Sequence, residues 1–273
     1  MSIAGDLHRV RSALYLPASN PRAIEKARTL PADLVMLDLE DAVKDEDKAE
    51  ARQAAVGAGS GEWLAPLFAI RINGPGSPWH EADLAAVTGA ERLDLIVVPK
   101  MEKPEIARLI AGETGKPLLA MIETPMGVYA ARDIARTEGV AGLIVGTNDL
   151  AAELRLPPGY DRTGLSFALQ TIVMAARAAG GIALDGVYNV LDDAPGLAAQ
   201  CEEGRRLGFD GKTVIHPSQI EIVNRAFGPS ESELEDARAL IAAQSGGAER
   251  FRGRMIEAMH VREARRLLAR GGA

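Results

Sequence analysis

The chain has 273 residues, of which 47% are hydrophobic and 25% charged, and its formal net charge is −7 at pH 7. This length allows a large core, and the acidic balance argues against nucleic acid or an anionic membrane surface as a partner. The single cysteine, Cys201, excludes an intrachain disulfide and a cysteine-based zinc site, and its helix-like surroundings indicate a structural role. Because no apolar run approaches the roughly 20 residues that span a bilayer and no signal-peptide core is present, we expect a cytoplasmic protein.

Apolar runs alternate with helical patterns along the chain, which is typical of repeated strand-helix units. The eight runs are, in order, SALYLPA, DLVMLDLED, LFAIRING, LDLIVVPK, LLAMIET, GLIVGTND, ALDGVYN and GFDGKTVIHP. Helical patterns follow them and begin, for example, near Pro21, Pro104 and Ser218. Eight such units predict an α/β fold, a TIM (β/α)8 barrel, over residues 1–229. An open doubly wound sheet is the alternative, but no GxGxxG motif follows the first strand.

Two segments fall outside this regular alternation. The loop RLPPGYDRTG, between Leu154 and Leu165, is longer than a usual connection and is expected to be functional or mobile. Residues 230–273 predict additional C-terminal helices: ESELEDARALIAAQ as one helix, SGGAERFRG as a flexible turn and MIEAMHVREARRLLAR as a final helix. This extension is expected to fold either over its own barrel or over a neighbouring subunit's site.

Polar residues follow the carboxyl ends of the predicted strands, where a parallel barrel has its active-site mouth. These residues are Asp38, Glu40, Asp41, Arg71, Lys100, Glu123, Asp149, Asp185 and His216. Crowded carboxylates repel one another unless a cation neutralises them, so this acid-rich edge predicts a divalent metal, and Mg²⁺ suits hard oxygen ligands. Asp38 is included with Arg71 among the candidate catalytic residues.

Glu123 and Asp149 are the preferred metal ligands, because each ends a buried strand and neighbouring parallel strands end at the same edge. The alternative is that each acid caps the helix that begins beside it. Arg71 is expected to grip a carboxylate with two N–H groups, or to form a structural salt bridge with a second-strand acid. The turn Gly146–Thr147–Asn148 offers backbone amides for the anionic end of a 2-oxo acid.

Two further strand-end residues have more than one interpretation. Lys100 is a candidate for substrate contact or a Schiff base, and a charge-balancing role among the acids is the simpler alternative. His216, before Pro217, is interpreted as a packed, hydrogen-bonded histidine in preference to a metal ligand.

An ordered set of segments carries a resemblance to a known family. RSALYLPASN, DLVMLDLEDAV with KAEAR, FAIRING, VVPKME, MIETPMGV, GTNDLAAEL and TVIHPSQI resemble, in order and spacing, the citrate lyase beta subunit-like branch of the HpcH/HpaI aldolase superfamily. The resemblance covers most of the chain, from Arg11 to the tail. It implies a TIM barrel that assembles into trimers or hexamers, binds Mg²⁺ and cleaves or forms a carbon-carbon bond between an acyl thioester and a 2-oxo acid.

The resemblance also implies roles for individual residues. Glu123 and Asp149 would hold the metal and Arg71 would anchor the oxo acid, in agreement with the assignment from the strand ends. Arg11 and the PASN loop, with the basic residues Lys44, Lys48 and Arg52, would contact coenzyme A or the phosphopantetheine of an acyl-carrier protein. A solvated helix face is the alternative for the lysines.

One motif departs from the family. Malyl-CoA and citramalyl-CoA lyases of this family carry a catalytic aspartate in a GKMID-like motif that is donated to the neighbouring subunit, whereas this chain has GRMIE, with Glu257 at that position. Glutamate can transfer the same proton, but its extra methylene displaces the carboxyl group by roughly 1.5 Å. We therefore expect a magnesium-dependent lyase of a 3-hydroxy-acyl thioester. The alternatives are an aldolase of free hydroxy-oxo acids, an acyl-CoA thioesterase and a non-catalytic binding subunit.

Overall fold

A computed structural model describes residues 3–159, 161–244 and 247–271. Eight parallel strands close into a barrel in sequential order, with β1 paired to both β2 and β8. The predicted TIM barrel is therefore confirmed. The strands are β1 (Ser12–Pro17), β2 (Leu34–Asp38), β3 (Leu67–Arg71), β4 (Leu95–Val98), β5 (Leu118–Ile122), β6 (Val140–Val145), β7 (Ile182–Asp185) and β8 (Gly211–Val214).

Helices cover the outside of this barrel, and a short helix precedes it. They are α1 (Ile3–Leu7), α2 (Pro21–Ala27), α3 (Lys48–Ala58), α4 (His80–Thr88), α5 (Pro104–Thr114), α6 (Pro125–Ala135), α7 (Thr147–Glu153), α8 (Ser166–Ala179), α9 (Ala194–Leu207) and α10 (Ile220–Phe227). Several begin with proline in the first turn, as predicted at Pro21 and Pro104. Among the described residues, no helix is long and apolar enough to cross a membrane.

Side chains alternate between two apolar layers along each strand. On β2, Leu34 and Met36 fill the barrel interior, whereas Val35 and Leu37 pack against the surrounding helices. The same alternation on β5 places Leu119 and Met121 inside. It follows that the last inward-facing residue of each of these strands points into the mouth of the barrel.

The C-terminal extension comprises α11 (Glu231–Ala243), a hairpin of β9 (Glu249–Phe251) and β10 (Arg254–Ile256), and α12 (Ala258–Arg270). The prediction that MIEAMHVREARRLLAR is one helix is wrong at its start, because Met255 and Ile256 lie in β10. Arg252 and Gly253 have positive φ angles of 48° and 82°. Positive φ at both central residues is typical of the tight two-residue turns that join hairpin strands. Residues 245–246 of the predicted turn lie outside the described part of the chain.

The extension has a small core of its own and packs on the barrel. The buried residues of this small core are Ala237, Leu240, Ile256, Val261 and Ala264. At the end of α12, Arg270 Nη2 donates to Asp210 O at 2.6 Å, just before β8 begins. This contact lies at the amino-terminal end of the barrel strands, away from the mouth. The domain boundary at residue 229 stays a prediction. The same holds for the expectation that the extension covers the site of a neighbouring subunit.

Candidate active site

A cavity of about 330 Å³ opens at the carboxyl ends of the strands. Its walls come from β1, β2, β3, β5, β6 and β8, from the first turn of α7 and from the loop after β7. The lining residues are Tyr15, Asp38, Asp41, Ala42, Arg71, Met121, Glu123, Val145, Gly146, Thr147, Asn148, Asp149, Val187, Asn189, Thr213 and Ile215. Most of the residues predicted for the site therefore lie around one cavity.

Arg71 is bound by acids from the second strand. Its Nε and Nη2 each donate to the Asp38 carboxylate at 2.7 Å, and its Nη1 lies 2.9 Å from Glu40 Oε2. Asp38 also accepts from the backbone N–H groups of Glu40 and Ala42. The salt bridge considered as an alternative is present, and it occupies the edge of the guanidinium that would grip a ligand with two N–H groups. Asp38 thus positions Arg71.

Tyr15 supports Arg71 from below. The guanidinium carbon of Arg71 lies 5.0 Å from the centre of the Tyr15 ring, within the range of a cation-π contact. Within the described residues, the buried Tyr15 hydroxyl has no hydrogen-bond partner. Burial raises the pKa of Tyr15 far above its ordinary value, so the hydroxyl stays protonated. The sequence analysis missed Tyr15, although the alternation of side chains along β1 places it on the interior side of the barrel.

Glu123 is buried at the mouth with only 3% of its surface exposed. Its Oε1 accepts a hydrogen bond from the backbone N–H of Lys100 at 2.7 Å. Burial, the nearby carboxylate of Glu40 and, more weakly, that of Asp149 raise the pKa of Glu123 to about 8. A carboxylate held beside other carboxylates in a buried site is stabilised by a cation.

Lys100 and Glu40 connect Arg71 to Glu123. Lys100 has a φ of 51°, in the left-handed region that non-glycine residues rarely adopt. This backbone conformation directs its N–H to Glu123 while its Nζ lies 3.3 Å from Glu40 Oε1. Burial raises the pKa of Glu40 to about 7 in spite of the neighbouring Arg71. Lys100 therefore balances charge and orients Glu123, and no Schiff-base chemistry follows from these contacts.

The first turn of α7 closes the cavity on the side of Asp149. A Cβ atom at Gly146 would overlap Glu123 Oε2, so only glycine allows this close approach. Asn148 and Asn189 form a reciprocal pair, in which Asn189 Nδ2 donates to Asn148 Oδ1 at 2.8 Å. Asn189 was not predicted, because the loop after β7 gives no sequence signal for this contact.

The donor set of the cavity fits a divalent cation held by two carboxylates. Within residues 3–159, 161–244 and 247–271, no group of three or more His, Cys, Asp or Glu is arranged to hold a metal. Mg²⁺ commonly takes one or two carboxylates and completes its shell with water and substrate oxygens. Glu123 and Asp149 line the same cavity and interact electrostatically, which matches that requirement.

Several predicted residues lie elsewhere. Arg11 precedes β1 and forms a two-pronged salt bridge with Asp33 at 2.8 and 3.0 Å, at the opposite end of the barrel. The expectation that Arg11 contacts the thioester is therefore wrong, because a residue before a parallel strand faces the amino-terminal end. Lys48 is buried and donates to two backbone carbonyls and to Asn73, and Arg52 pairs with Asp83. Neither basic side chain belongs to a solvated face.

The two remaining strand-end candidates and Glu257 also lie outside the cavity lining. Asp185 is completely buried and pairs with Arg162 and Lys212 behind the strands, so its expected place at the mouth is wrong. His216 is exposed and accepts from the Ser218 N–H at its Nδ1, which confirms a hydrogen-bonded histidine but not a packed one. Glu257 caps α12 in the extension, away from the mouth of its own barrel.

Cys201 behaves as its helical pattern predicts. The side chain is fully buried, and burial raises the pKa of the thiol to about 11. A thiol that stays protonated in a closed core is a packing residue and not a nucleophile.

Together these features define a (β/α)8-barrel protein with an acidic ligand cavity at the carboxyl ends of its strands. The chain belongs to the HpcH/HpaI aldolase/citrate lyase family, whose sequence model matches residues 11–217. It is 39% identical over 279 residues to a (3S)-malyl-CoA thioesterase of Cereibacter sphaeroides, covering 99% of this chain and 98% of that protein. It is 32% identical over 286 residues to the citrate lyase subunit beta of Escherichia coli, covering 95% and 92% of the two chains.

A solved structure gives the same fold. The CitE protein of Mycobacterium tuberculosis, in complex with magnesium, acetoacetate and coenzyme A, superimposes with a TM-score of 0.82 at 31% identity. The match covers 98% of this chain and 100% of that chain. The resemblance seen in the sequence is thereby confirmed for both family and fold.

Proposed function

We propose that the chain is a magnesium-dependent enzyme that hydrolyses the thioester bond of a 3-hydroxy-acyl coenzyme A of the malyl type. The cavity supports a metal-assisted reaction, because it concentrates carboxylates around Glu123 and Asp149. The full-length similarity to a malyl-CoA thioesterase favours hydrolysis over the carbon-carbon cleavage that the sequence first indicates. The single structural observation that carries the metal dependence is the excess of carboxylates over cations around one small cavity.

Bound Mg²⁺, held by Glu123 and Asp149, would supply a Lewis acid and a template for substrate oxygens. Arg71 can still direct an N–H of its terminal nitrogens into the cavity, where one hydrogen bond stabilises an oxygen that gains charge. Asp41 is the most accessible carboxylate of the lining, with 60% of its side chain exposed and its nearest Arg71 contact at 3.8 Å. We assign Asp41 as the base that takes the proton of the attacking water.

Hydrolysis consumes one water molecule. Water forms a bond to the thioester carbonyl carbon while its proton passes to the Asp41 carboxylate. The carbon-sulfur bond then breaks, the electron pair leaves with sulfur, and the proton held by Asp41 passes to that sulfur, which regenerates the Asp41 carboxylate. The products are the free hydroxy acid and the coenzyme A thiol.

Carbon-carbon cleavage is the second candidate, and Glu257 is the observation that favours it. In this reaction the substrate hydroxyl loses its proton, the carbon-carbon bond breaks and the thioester enolate is protonated at carbon. A base for that step would be Glu257 of a neighbouring copy in a trimer or hexamer, because Glu257 does not line its own cavity. The exposed Met255 and Met259 on either side of Glu257 offer apolar surface for such a contact.

Product analysis separates these reactions. The protein is incubated with malyl-CoA and Mg²⁺, and free coenzyme A, malate, acetyl-CoA and glyoxylate are measured together. Equal amounts of coenzyme A and malate support hydrolysis, whereas equal amounts of acetyl-CoA and glyoxylate support cleavage. Loss of turnover in Asp41→Asn with retention in Glu257→Gln supports the hydrolytic assignment, and the reverse pattern supports cleavage. Binding without any product would contradict both reactions.

A further inference from the structure

Lys48 is a buried cation without a role in the proposed reaction. It is the first residue of α3, and only 4% of its surface is exposed. Its ammonium group donates at 2.9 Å to the backbone carbonyls of Leu39 and Glu40, and at 2.8 Å to the side-chain oxygen of Asn73. A lysine ammonium group has three N–H donors, and all three are therefore occupied. The ring of Trp79 covers the same group, with its centre 4.8 Å from Nζ.

The acceptors of Lys48 join two loops at the mouth of the barrel. Leu39 and Glu40 follow β2, and Asn73 follows β3. A buried ammonium group is costly unless its N–H groups find acceptors, so the cation and the two loops hold one another in place. The family resemblance implies a contact between Lys48 and coenzyme A, but no N–H group of Lys48 is left over for a ligand.

Asn73 is fixed in turn by α4. Its backbone N–H and its side-chain amide donate to Asp83 at 2.9 and 2.6 Å, and the amide also donates to the carbonyl of Leu39 at 2.9 Å. Asp83 is completely buried and pairs at 2.6 Å with Arg52, which lies one turn along α3 from Lys48. Because each member of this network is anchored in a helix or next to a strand end, the ammonium group of Lys48 has little freedom to move.

The turn that Lys48 holds also carries the assigned base. Glu40 donates its backbone N–H to Asp38, and its carbonyl accepts from Lys48, so this part of the turn is bound through both of its polar backbone groups. Asp41 follows directly. Within the described part of the chain, the Asp41 carboxylate accepts no hydrogen bond, and its contact with Arg71 Nη1 measures 3.8 Å. The position of this carboxylate therefore depends on the backbone that carries it.

We infer that Lys48 is a positioning residue for the proposed hydrolysis. By holding the carbonyls of Leu39 and Glu40, its ammonium group fixes the turn that carries Asp41, and with it the place of the Asp41 carboxylate relative to the attacking water. Lys48 does not line the mouth cavity, so it acts through Asp41 and not by touching the substrate. The inference rests on the proposed function and adds the group that aligns its base.

Steady-state kinetics of Lys48→Met with malyl-CoA and Mg²⁺ test this role. Methionine fills much of the same space but donates no hydrogen bond, so the turn is free to shift, and a displacement near 1 Å costs about 10²-fold in rate. We expect kcat of the folded protein to fall by about that factor while KM stays within about threefold. Lys212→Met is the matched control, because Lys212 is also buried but pairs with Asp185 behind the strands. Its kcat per folded molecule should stay within about threefold of wild type, and equal kcat values for the two variants would overturn the inference.

A double variant separates alignment of the base from a general loss of structure. In an Asp41→Asn background, Lys48→Met should lower the residual kcat by less than about threefold, because a residue that acts through Asp41 has nothing left to align. A further loss of about 10²-fold would overturn the inference and leave the base assignment intact. Lys48→Arg keeps N–H donors for the two carbonyls and should retain more activity than Lys48→Met; the reverse order would show that Lys48 only fills space. Full hydrolysis by Asp41→Asn would instead overturn the proposed base, and the role of Lys48 with it.

Discussion

The mouth of the barrel and the space behind β7 and β8 each hold a cluster of charged groups, but the clusters differ in the balance of acids and cations. Behind the strands, Asp185 accepts from Arg162 at 2.6 Å and from Lys212 at 3.0 Å. Arg162 also donates to Glu203, and Lys212 to Gln200. Each charge in this rear cluster, formed by Asp185, Arg162, Lys212 and Glu203, therefore has a partner of opposite sign.

The mouth is unbalanced in the acidic direction. Its cluster comprises Asp38, Glu40, Asp41, Glu123 and Asp149 against the cations Arg71 and Lys100. The pKa values of Glu40 and Glu123 are raised to about 7 and about 8, whereas Lys212 and Arg162 hold the pKa of Asp185 below its ordinary value of 3.8 in spite of burial. Strongly raised pKa values in a cleft mark the mouth as the candidate functional site, whereas in the rear cluster the removal of any one charge would leave its partner buried and unpaired.

Glu123→Gln should have the largest effect on turnover and the opposite effect on stability. Removing a metal-binding charge should abolish Mg²⁺-dependent product formation, with a loss of more than about 10³-fold. Without metal, however, the free energy of unfolding should rise by roughly 1 kcal/mol, because glutamine removes the cost of protonating Glu123, whose pKa of about 8 in the folded protein exceeds its ordinary value of 4.5. Product assays and urea unfolding of the metal-free protein measure the two effects. Full activity of the variant in the presence of a chelator would remove the metal from the mechanism.

Asp185→Asn should instead lower the free energy of unfolding and leave turnover nearly unchanged. Two buried cations lose their shared carboxylate, and breaking a buried pair in this way costs about 3–5 kcal/mol. Urea unfolding checks the size, and turnover by the folded fraction should stay within about threefold of wild type. A strong loss of activity at unchanged stability would show that the rear cluster takes part in the reaction.

Strand parity explains which strand-end residues the sequence could identify. Three mouth residues lie two positions after an inward-facing residue of their strand: Asp38, Arg71 and Glu123. The alternation of side chains therefore places them at the mouth. Asp185 follows the inward-facing Leu184 by one residue and therefore faces the helices. Reading only where a strand ends, without its parity, placed Asp185 at the mouth.

Other features depend on tertiary contacts that a single sequence does not contain. The pairing of Asn148 with Asn189 joins positions 41 residues apart, and no local pattern indicates it. The hairpin in the extension was missed, with β9 assigned to a flexible turn and the end of β10 to the final helix, because strands of three residues are too short for a period of two to emerge. The fold itself was predictable because eight long apolar runs recur with helices between them.

Gly146→Ala should disturb the mouth by shape and not by charge. The added Cβ would overlap Glu123 Oε2, so the carboxylate must move, and a displacement near 1 Å costs about 10²-fold in rate. Overpacking should also lower stability by about 1–3 kcal/mol. Gly112→Ala on α5 is the matched control, because nothing lies within 4 Å of its added Cβ and alanine favours helix. An active Gly146→Ala protein would show that Glu123 tolerates displacement.

Acid sensitivity should be the smallest effect and should arise from the rear cluster. Because Lys212 and Arg162 lower the pKa of Asp185 in the folded state, its contribution is present above its ordinary pKa of 3.8 and is lost as pH falls through the folded value. One group changes the unfolding free energy by at most about 1.4 kcal/mol per pH unit. Urea midpoints of wild type and Asp185→Asn should therefore differ most at neutral pH and converge below about pH 4. A difference that stays constant into acid would mean that hydrogen bonding, which asparagine partly keeps, and not ionic pairing holds the rear cluster together.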